Sequence, residues 1–164
     1  MIRTGLVSVT FRDLAPRRIV DLVNEAGLDA VEWGGDVHVP HGDAARARDV
    51  GRMTRDAGLT TAVYGSYYRA GAPDPGPDFA AVLETALVLG APMIRVWAGA
   101  IGSERAAARD RAAVVDDTLR IAGIAHRHGI AITFEFHGGT LNDTNGSSRR
   151  LIQLHMEDLA RNRK

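Results

Sequence analysis

Four times along the chain, an apolar-periodic stretch stops at a glycine and a short apolar run follows at once. The junctions read AGLDAVEW, AGLTTAVY, LGAPMIRVW and HGIAITFEF, with glycines Gly27, Gly58, Gly90 and Gly129. A glycine just past a helix suits the left-handed C′ position, because it has no Cβ to clash with its own carbonyl. The runs that follow are rich in Val, Ile and aromatics, as buried parallel strands are. The segments that precede them carry apolar stripes at helical spacing: Ile19, Val23 and Ala26; Val50, Met53 and Ala57; Val82, Leu83, Ala86 and Leu87; Val115, Leu119 and Ala122. Pro16, Asp43 and the Ser103–Glu104 pair mark helix starts, and GAPDPGP at 71–77 reads as a loop.

The pattern predicts strands at 4–10, 29–33, 60–64, 92–97 and 130–136, and helices at 15–26, 43–57, 78–89, 103–128 and 147–162. Strict strand–helix alternation requires a parallel sheet with right-handed crossovers. No linker interrupts residues 1–164, so a single domain is expected. Two architectures satisfy the alternation: part of a closed (β/α)8 barrel with strands in the order 1-2-3-4-5, or an open flavodoxin-like sheet ordered 2-1-3-4-5. Gly5 stands alone in the first strand and neither GxGxxG nor GxxxxGK[ST] occurs, which argues against dinucleotide-binding and P-loop folds.

Composition narrows the function. Twenty basic residues balance twenty acidic ones, so no strong overall field draws in nucleic acid or an anionic membrane. The absence of cysteine removes disulfides, iron–sulfur clusters and thiolate zinc sites, and fits a reducing cytoplasm. The N-terminus lacks the apolar core of a signal peptide, and no run is long enough to span a membrane. A cytoplasmic location is therefore expected, and the Asn145-Gly146-Ser147 sequon carries no meaning there.

Polar and aromatic residues collect at the carboxyl ends of the expected strands, where both architectures bind ligands. Strand two ends in Glu32-Trp33 and leads into GGDVHVPHGD, with Asp36, His38, His41 and Asp43. Strand three ends in Tyr64, before GSYYR. Strand four carries Arg95 and Trp97, and strand five Glu135 and His137. Such groups are costly to bury without partners, so a ligand site explains them better than packing. Each has a structural alternative: an ion pair with Arg95 for Glu135, a rim ion pair for Glu32, loop hydrogen bonds for the histidines, and a core cap for Tyr64 and Trp97. Arg95 reads as a buried or rim salt bridge. His126, His128 and His155 fall on helices, and the RNRK tail reads as a solvated end.

Over roughly residues 1–145, VEWGGDVHVPHGD, IRVWAG and FEFHGGTLNDT resemble the sugar phosphate isomerase/epimerase branch of the xylose-isomerase-like TIM barrels. The resemblance implies a sugar or sugar-phosphate isomerase or epimerase that shifts a proton through an enediolate beside a divalent metal, Mn²⁺ or Mg²⁺. It implies that Glu135 is metal ligand and acid/base, and that Glu32, His38, His41, Tyr64, Trp97 and His137 contact substrate. A hard cation stabilises an enediolate, and carboxylates can move its protons. The superfamily also contains abasic-site endonucleases, but a chain of balanced charge is a poor match for DNA.

A full barrel needs about 250 residues, whereas this sequence supplies five strand–helix units. The family's other metal ligands come from strands six to eight, which leaves an incomplete ligand set here. An unclosed sheet exposes the edges of strands one and five and invites self-association. The alternative expectation is therefore a non-catalytic remnant or assembly module of the same fold.

Overall fold

The structure, a computed structural model, describes residues 2–161. Five strands and five helices alternate: β1 (Gly5–Val7), α1 (Pro16–Glu25), β2 (Ala30–Gly34), α2 (Ala44–Asp56), β3 (Thr60–Arg69), α3 (Phe79–Leu89), β4 (Met93–Trp97), α4 (Ala108–His126), β5 (Ala131–Phe134) and α5 (Asn145–Arg161). All strand pairings are parallel and the order is β1-β2-β3-β4-β5. That order is the partial barrel and excludes the flavodoxin-like one. The four junction glycines all lie at positive φ, between 66° and 82°, as their C′ role requires.

Side-chain alternation on the strands divides the molecule into two layers. Outward-facing Val31, Trp33, Tyr64, Ile94 and Val96 are fully buried with Ile19 and Val23 of α1, Val50 of α2, Val82 and Leu89 of α3, and Ile121 of α4. A smaller core joins Ala98, Val114, Val115, Leu141 and Leu151, and so docks α5. Ser147 helps to hold that helix by donating to the Leu141 carbonyl at 2.6 Å. Ile152, Met156 and Leu159 on the same helix remain exposed.

Three boundaries differ from the expected ones for local reasons. β1 stops at Val7 and a 3₁₀ turn covers Ser8–Phe11. The buried Ser8 hydroxyl, not backbone, accepts from Gly34 N–H at 2.9 Å. α4 starts at Ala108, not 103, because the Ser103 N–H is taken by Asp143 at 2.9 Å, while Asp110 accepts from Ala107 N–H at 2.8 Å. β3 runs five residues beyond its expected end, to Arg69, through a register shift between Gly65 and Arg69. Within that shift Tyr67 has φ 57°. The expected end of the last helix, at 162, lies outside the described residues, as does most of the RNRK tail. Among the described residues, no helix is long and apolar enough to cross a membrane.

Candidate functional site

The inward faces of the central strands meet at their carboxyl ends. Gly65 of β3 lies between Glu32 of β2 and Arg95 of β4. A Cβ there would come within 2.8 Å of Arg95 Nη2 and 3.0 Å of Glu32 Oε1. The missing side chain lets the guanidinium pass over β3. Arg95 Nε donates to Glu32 Oε1 at 2.6 Å, and Nη1 pairs with Glu135 Oε2, on the first residue past β5. One guanidinium thus links carboxylates from β2 and the end of β5. The side chains of Arg95, Glu32 and Glu135 are only 12%, 15% and 30% exposed.

Trp97 completes the arrangement. Its indole Nε1–H donates to Glu135 Oε2 at 2.6 Å, and its ring stacks on His137 at 4.4 Å. His137 Nδ1–H donates to the Gly138 carbonyl at 2.7 Å, which leaves Nε2 as an acceptor. The loop after β5 is braced by Asn142, which donates to the Glu135 carbonyl at 2.9 Å, and by Thr140, which donates to the His137 carbonyl at 2.8 Å. Glu32, Tyr67, Arg95, Trp97, Glu135 and His137 line a cavity of about 260 Å³, with Val7 and Val9 as its apolar wall.

Four of the expected site residues, Glu32, Trp97, Glu135 and His137, come together in this mouth. Glu135 also makes the Arg95 ion pair foreseen as its structural alternative. Tyr64, His38 and His41 do not join them. Tyr64 pairs in register with Trp33 and points outward with it, into the core behind the sheet. Its hydroxyl donates to the Val39 carbonyl at 2.9 Å and accepts from His41 Nδ1–H at 2.7 Å. Burial raises the Tyr64 pKa, so the phenol stays neutral. His38 is 2% exposed, 3.0 Å from the Ser8 hydroxyl. Gly42 N–H bonds Thr85 of α3 at 2.9 Å, so the loop after β2 folds down onto the helices and carries both histidines away from the mouth. Their contacts here are those of loop anchors.

Burial lowers the pKa of His38 and of His41 below the usual 6.5. Below that pH the unfolded chain therefore binds more protons than the folded one. Stability is complete above about pH 6.5 and falls as the pH drops toward the folded-state values. Urea titrations at pH 7 and pH 5 should show a lower midpoint at pH 5, and His38→Asn should flatten the difference. An unchanged slope in the variant would remove His38 from the account.

Three residues at the mouth escaped the sequence reading as site residues. Tyr67 sits edge-on to Trp97 at 5.7 Å and under the Arg95 guanidinium at 5.9 Å. Arg12 bonds both Asp36 and Tyr67, which holds the guanidinium pKa above its usual value and ties the loop after β1 to the rim. Arg69 lies over the Trp97 ring at 5.3 Å.

The donors present do not by themselves make a metal centre. A divalent ion such as Mn²⁺ or Mg²⁺ takes about six oxygen or nitrogen ligands. Among the described residues, no group of three or more His, Asp or Glu side chains could hold one. Glu135 Oε2 is already engaged by two N–H donors, and Arg95 supplies the positive charge that a cation would bring.

Comparison with known proteins fits this geometry. Residues 20–158 match the family model described as the xylose isomerase-like TIM barrel. A comparison with curated protein sequences finds no match. The probable 3-DHS dehydratase AsbF of Bacillus anthracis superposes with a TM-score of 0.76 at 20% identity, over 94% of this chain and 59% of that one. A D-allulose 3-epimerase from Methylomonas sp. gives 0.69 at 15% identity, over 94% and 59%. A xylose isomerase-like TIM barrel protein from Mycobacterium smegmatis in complex with magnesium gives 0.69 at 14% identity, over 92% and 60%. The chain thus spans about 60% of the length of each of these three structures. Sequence match, strand order and the polar mouth at the strand ends agree, and the chain belongs to the xylose isomerase-like TIM barrel family.

Proposed function

We propose that the mouth binds a sugar or sugar phosphate and isomerises or epimerises it by enediolate-type proton transfer. The observation that carries this reading is the Glu32–Arg95–Glu135 bridge at the carboxyl ends of the strands. Two carboxylates beside a fixed guanidinium suit a substrate whose carbon acid becomes an anion. One carboxylate can accept the proton, and the guanidinium and the Trp97 N–H can offset the charge that develops. Glu135 is the candidate base, because it is the more open of the two and lies beside the Trp97–His137 wall. Glu32 accepts from substrate hydroxyls, and His137 Nε2 is a further acceptor. A Mn²⁺ or Mg²⁺ ion would need donors beyond the described residues, with Glu135 as one ligand. No partner nucleic acid or membrane enters this reading, and we place the chain in the cytoplasm.

The test is proton exchange in D₂O, followed by NMR, on a panel of ketoses and ketose phosphates with and without added Mn²⁺. Deuterium should enter at the carbon beside the carbonyl, and Glu135→Gln should slow its entry by about 10²-fold, the usual worth of a positioned general base. A chain that exchanges nothing with or without Mn²⁺ would sink the catalytic reading.

A second reading is favoured by the tie between Arg95 and both carboxylates. In it the chain binds without catalysing and associates through its open edges, where Val7 and Phe136 are exposed. Sugar binding without exchange, together with a sedimentation coefficient that rises with concentration, is the outcome that distinguishes it.

A further inference from the structure

Among the described residues, nine large apolar side chains are exposed, and most of them gather at the two ends of the sheet. Ile2, Val7 and Phe11 lie in the first strand–helix unit. Phe136 follows β5, and Ile152, Met156 and Leu159 are on α5. The three units between expose only Leu87 and Ile101. Single exposed apolar residues are ordinary on a protein surface, whereas a gathered set marks an interaction site.

Each end also lacks the neighbour that the other offers. In a parallel strand–helix sheet, a helix covers the seam between the strand before it and the strand after it. Helices α1 to α4 do this in turn from β1 to β5. α5 meets β5 through His155, which stands edge-on to Phe134 at 5.8 Å. Among the described residues no strand follows α5, and Ile152, Met156 and Leu159 form one stripe on its uncovered side. β1 has the opposite deficit, since no helix precedes it. The free side of β5 is also a pairing edge. Ala131 and Glu135 give their N–H groups to β4, so by alternation Ile132 and Phe134 turn theirs toward the open side.

The seams decide what fits there. Pairing β5 with a second β5 sets two α5 helices on one seam, and pairing β1 with a second β1 leaves the seam bare. Pairing β5 with β1 sets one helix on it, as on each of the four seams already present.

We propose that the two ends of the sheet are the halves of one interface, and that the partner is a second copy of this chain joined head to tail. β1 of the second copy lies parallel along β5 and against the α5 stripe. The proposal deepens the assembly reading above by fixing which edge meets which. A joint between unlike surfaces repeats, into a ring where the rotation closes and into an open chain where it does not.

Sedimentation equilibrium over about a hundredfold range of concentration tests it, with Ile2→Asp to block one end and Met156→Asp to block the other. Ile2 is 92% and Met156 66% exposed, so neither change should disturb the fold, which circular dichroism checks. The unaltered chain should associate as its concentration rises. Each variant alone should stay monomeric to about ten times the concentration at which the unaltered chain associates, because the joint would bury an unpaired carboxylate. An equimolar mixture of the two variants should form a heterodimer and nothing larger, because it holds one intact β5 end and one intact β1 end. In that mixture, hydrogen exchange at Ile132 and Phe134 should slow about tenfold relative to Ile2→Asp alone. An unaltered chain that stays monomeric, an association that either variant retains alone, or a mixture without the heterodimer overturns the proposal. No sugar is present, so these outcomes stand apart from the proton-exchange test of catalysis.

Discussion

Replacing Arg95 with Met is expected to cost about 3 kcal/mol of stability, the low end of the range for breaking a buried ion pair. The guanidinium lies between Glu32 and Glu135, and all three side chains are mostly shielded from water. Removing it leaves two like charges in one small cavity with nothing to balance them. The carboxylates then either repel each other or take up a proton. Joint replacement, Arg95→Met with Glu32→Gln and Glu135→Gln, should recover most of the stability, because no charge is left uncompensated. Denaturant midpoints of the single and triple variants decide the matter. A single variant as stable as the parent would mean that solvent already screens the bridge.

The second large effect lies behind the sheet. Trp33 is wholly buried, and its indole N–H donates to Thr54 of α2 at 3.1 Å. Its ring stands edge-on to His38 at 6.0 Å. Trp33→Ala opens a cavity between β2 and α2 and should cost about 4 kcal/mol, as large aromatic truncations do. That is a large share of a typical stability of roughly 5–15 kcal/mol. Trp33→Phe keeps most of the volume and loses the hydrogen bond, so about 1–2 kcal/mol is expected. Chemical denaturation followed by circular dichroism measures both. Equal costs for the two variants would show that the hydrogen bond, not the packing, matters at this position.

Much of this molecule could be read from its residues, and the failures have physical causes. Gly27, Gly58, Gly90 and Gly129 marked the helix ends because left-handed backbone has few tenants besides glycine. The Arg95–Glu135 pair was legible only as the alternative to a metal-ligand role for Glu135, because buried opposite charges at neighbouring strand ends have little else to bind. Tyr64, expected to contact substrate or to cap the core, lies in the core behind the sheet. The signal was present: Trp33 and Tyr64 share a register, and Gly65, the next residue, is the inward position that leaves room for the bridge. His38 and His41 misled for another reason. The loop that carries them is drawn down by Ser8, Thr85 and the Tyr64 hydroxyl, contacts between segments far apart in sequence. Tyr67 and Arg69 were beyond reach, because no residue pattern announces a tyrosine at φ 57° inside a strand.

The two tryptophans give the most direct test of the mouth as the ligand site. Trp97 donates its indole N–H to Glu135 inside the mouth, while Trp33 donates its own to Thr54 behind the sheet. The indole region of a ¹H–¹⁵N spectrum therefore holds one reporter and one internal control. On titration with a ketose phosphate, the Trp97 signal should move in a saturable way while the Trp33 signal stays in place. A Trp97 signal that stays fixed while the ligand binds, or a shift confined to Trp33, would contradict the account.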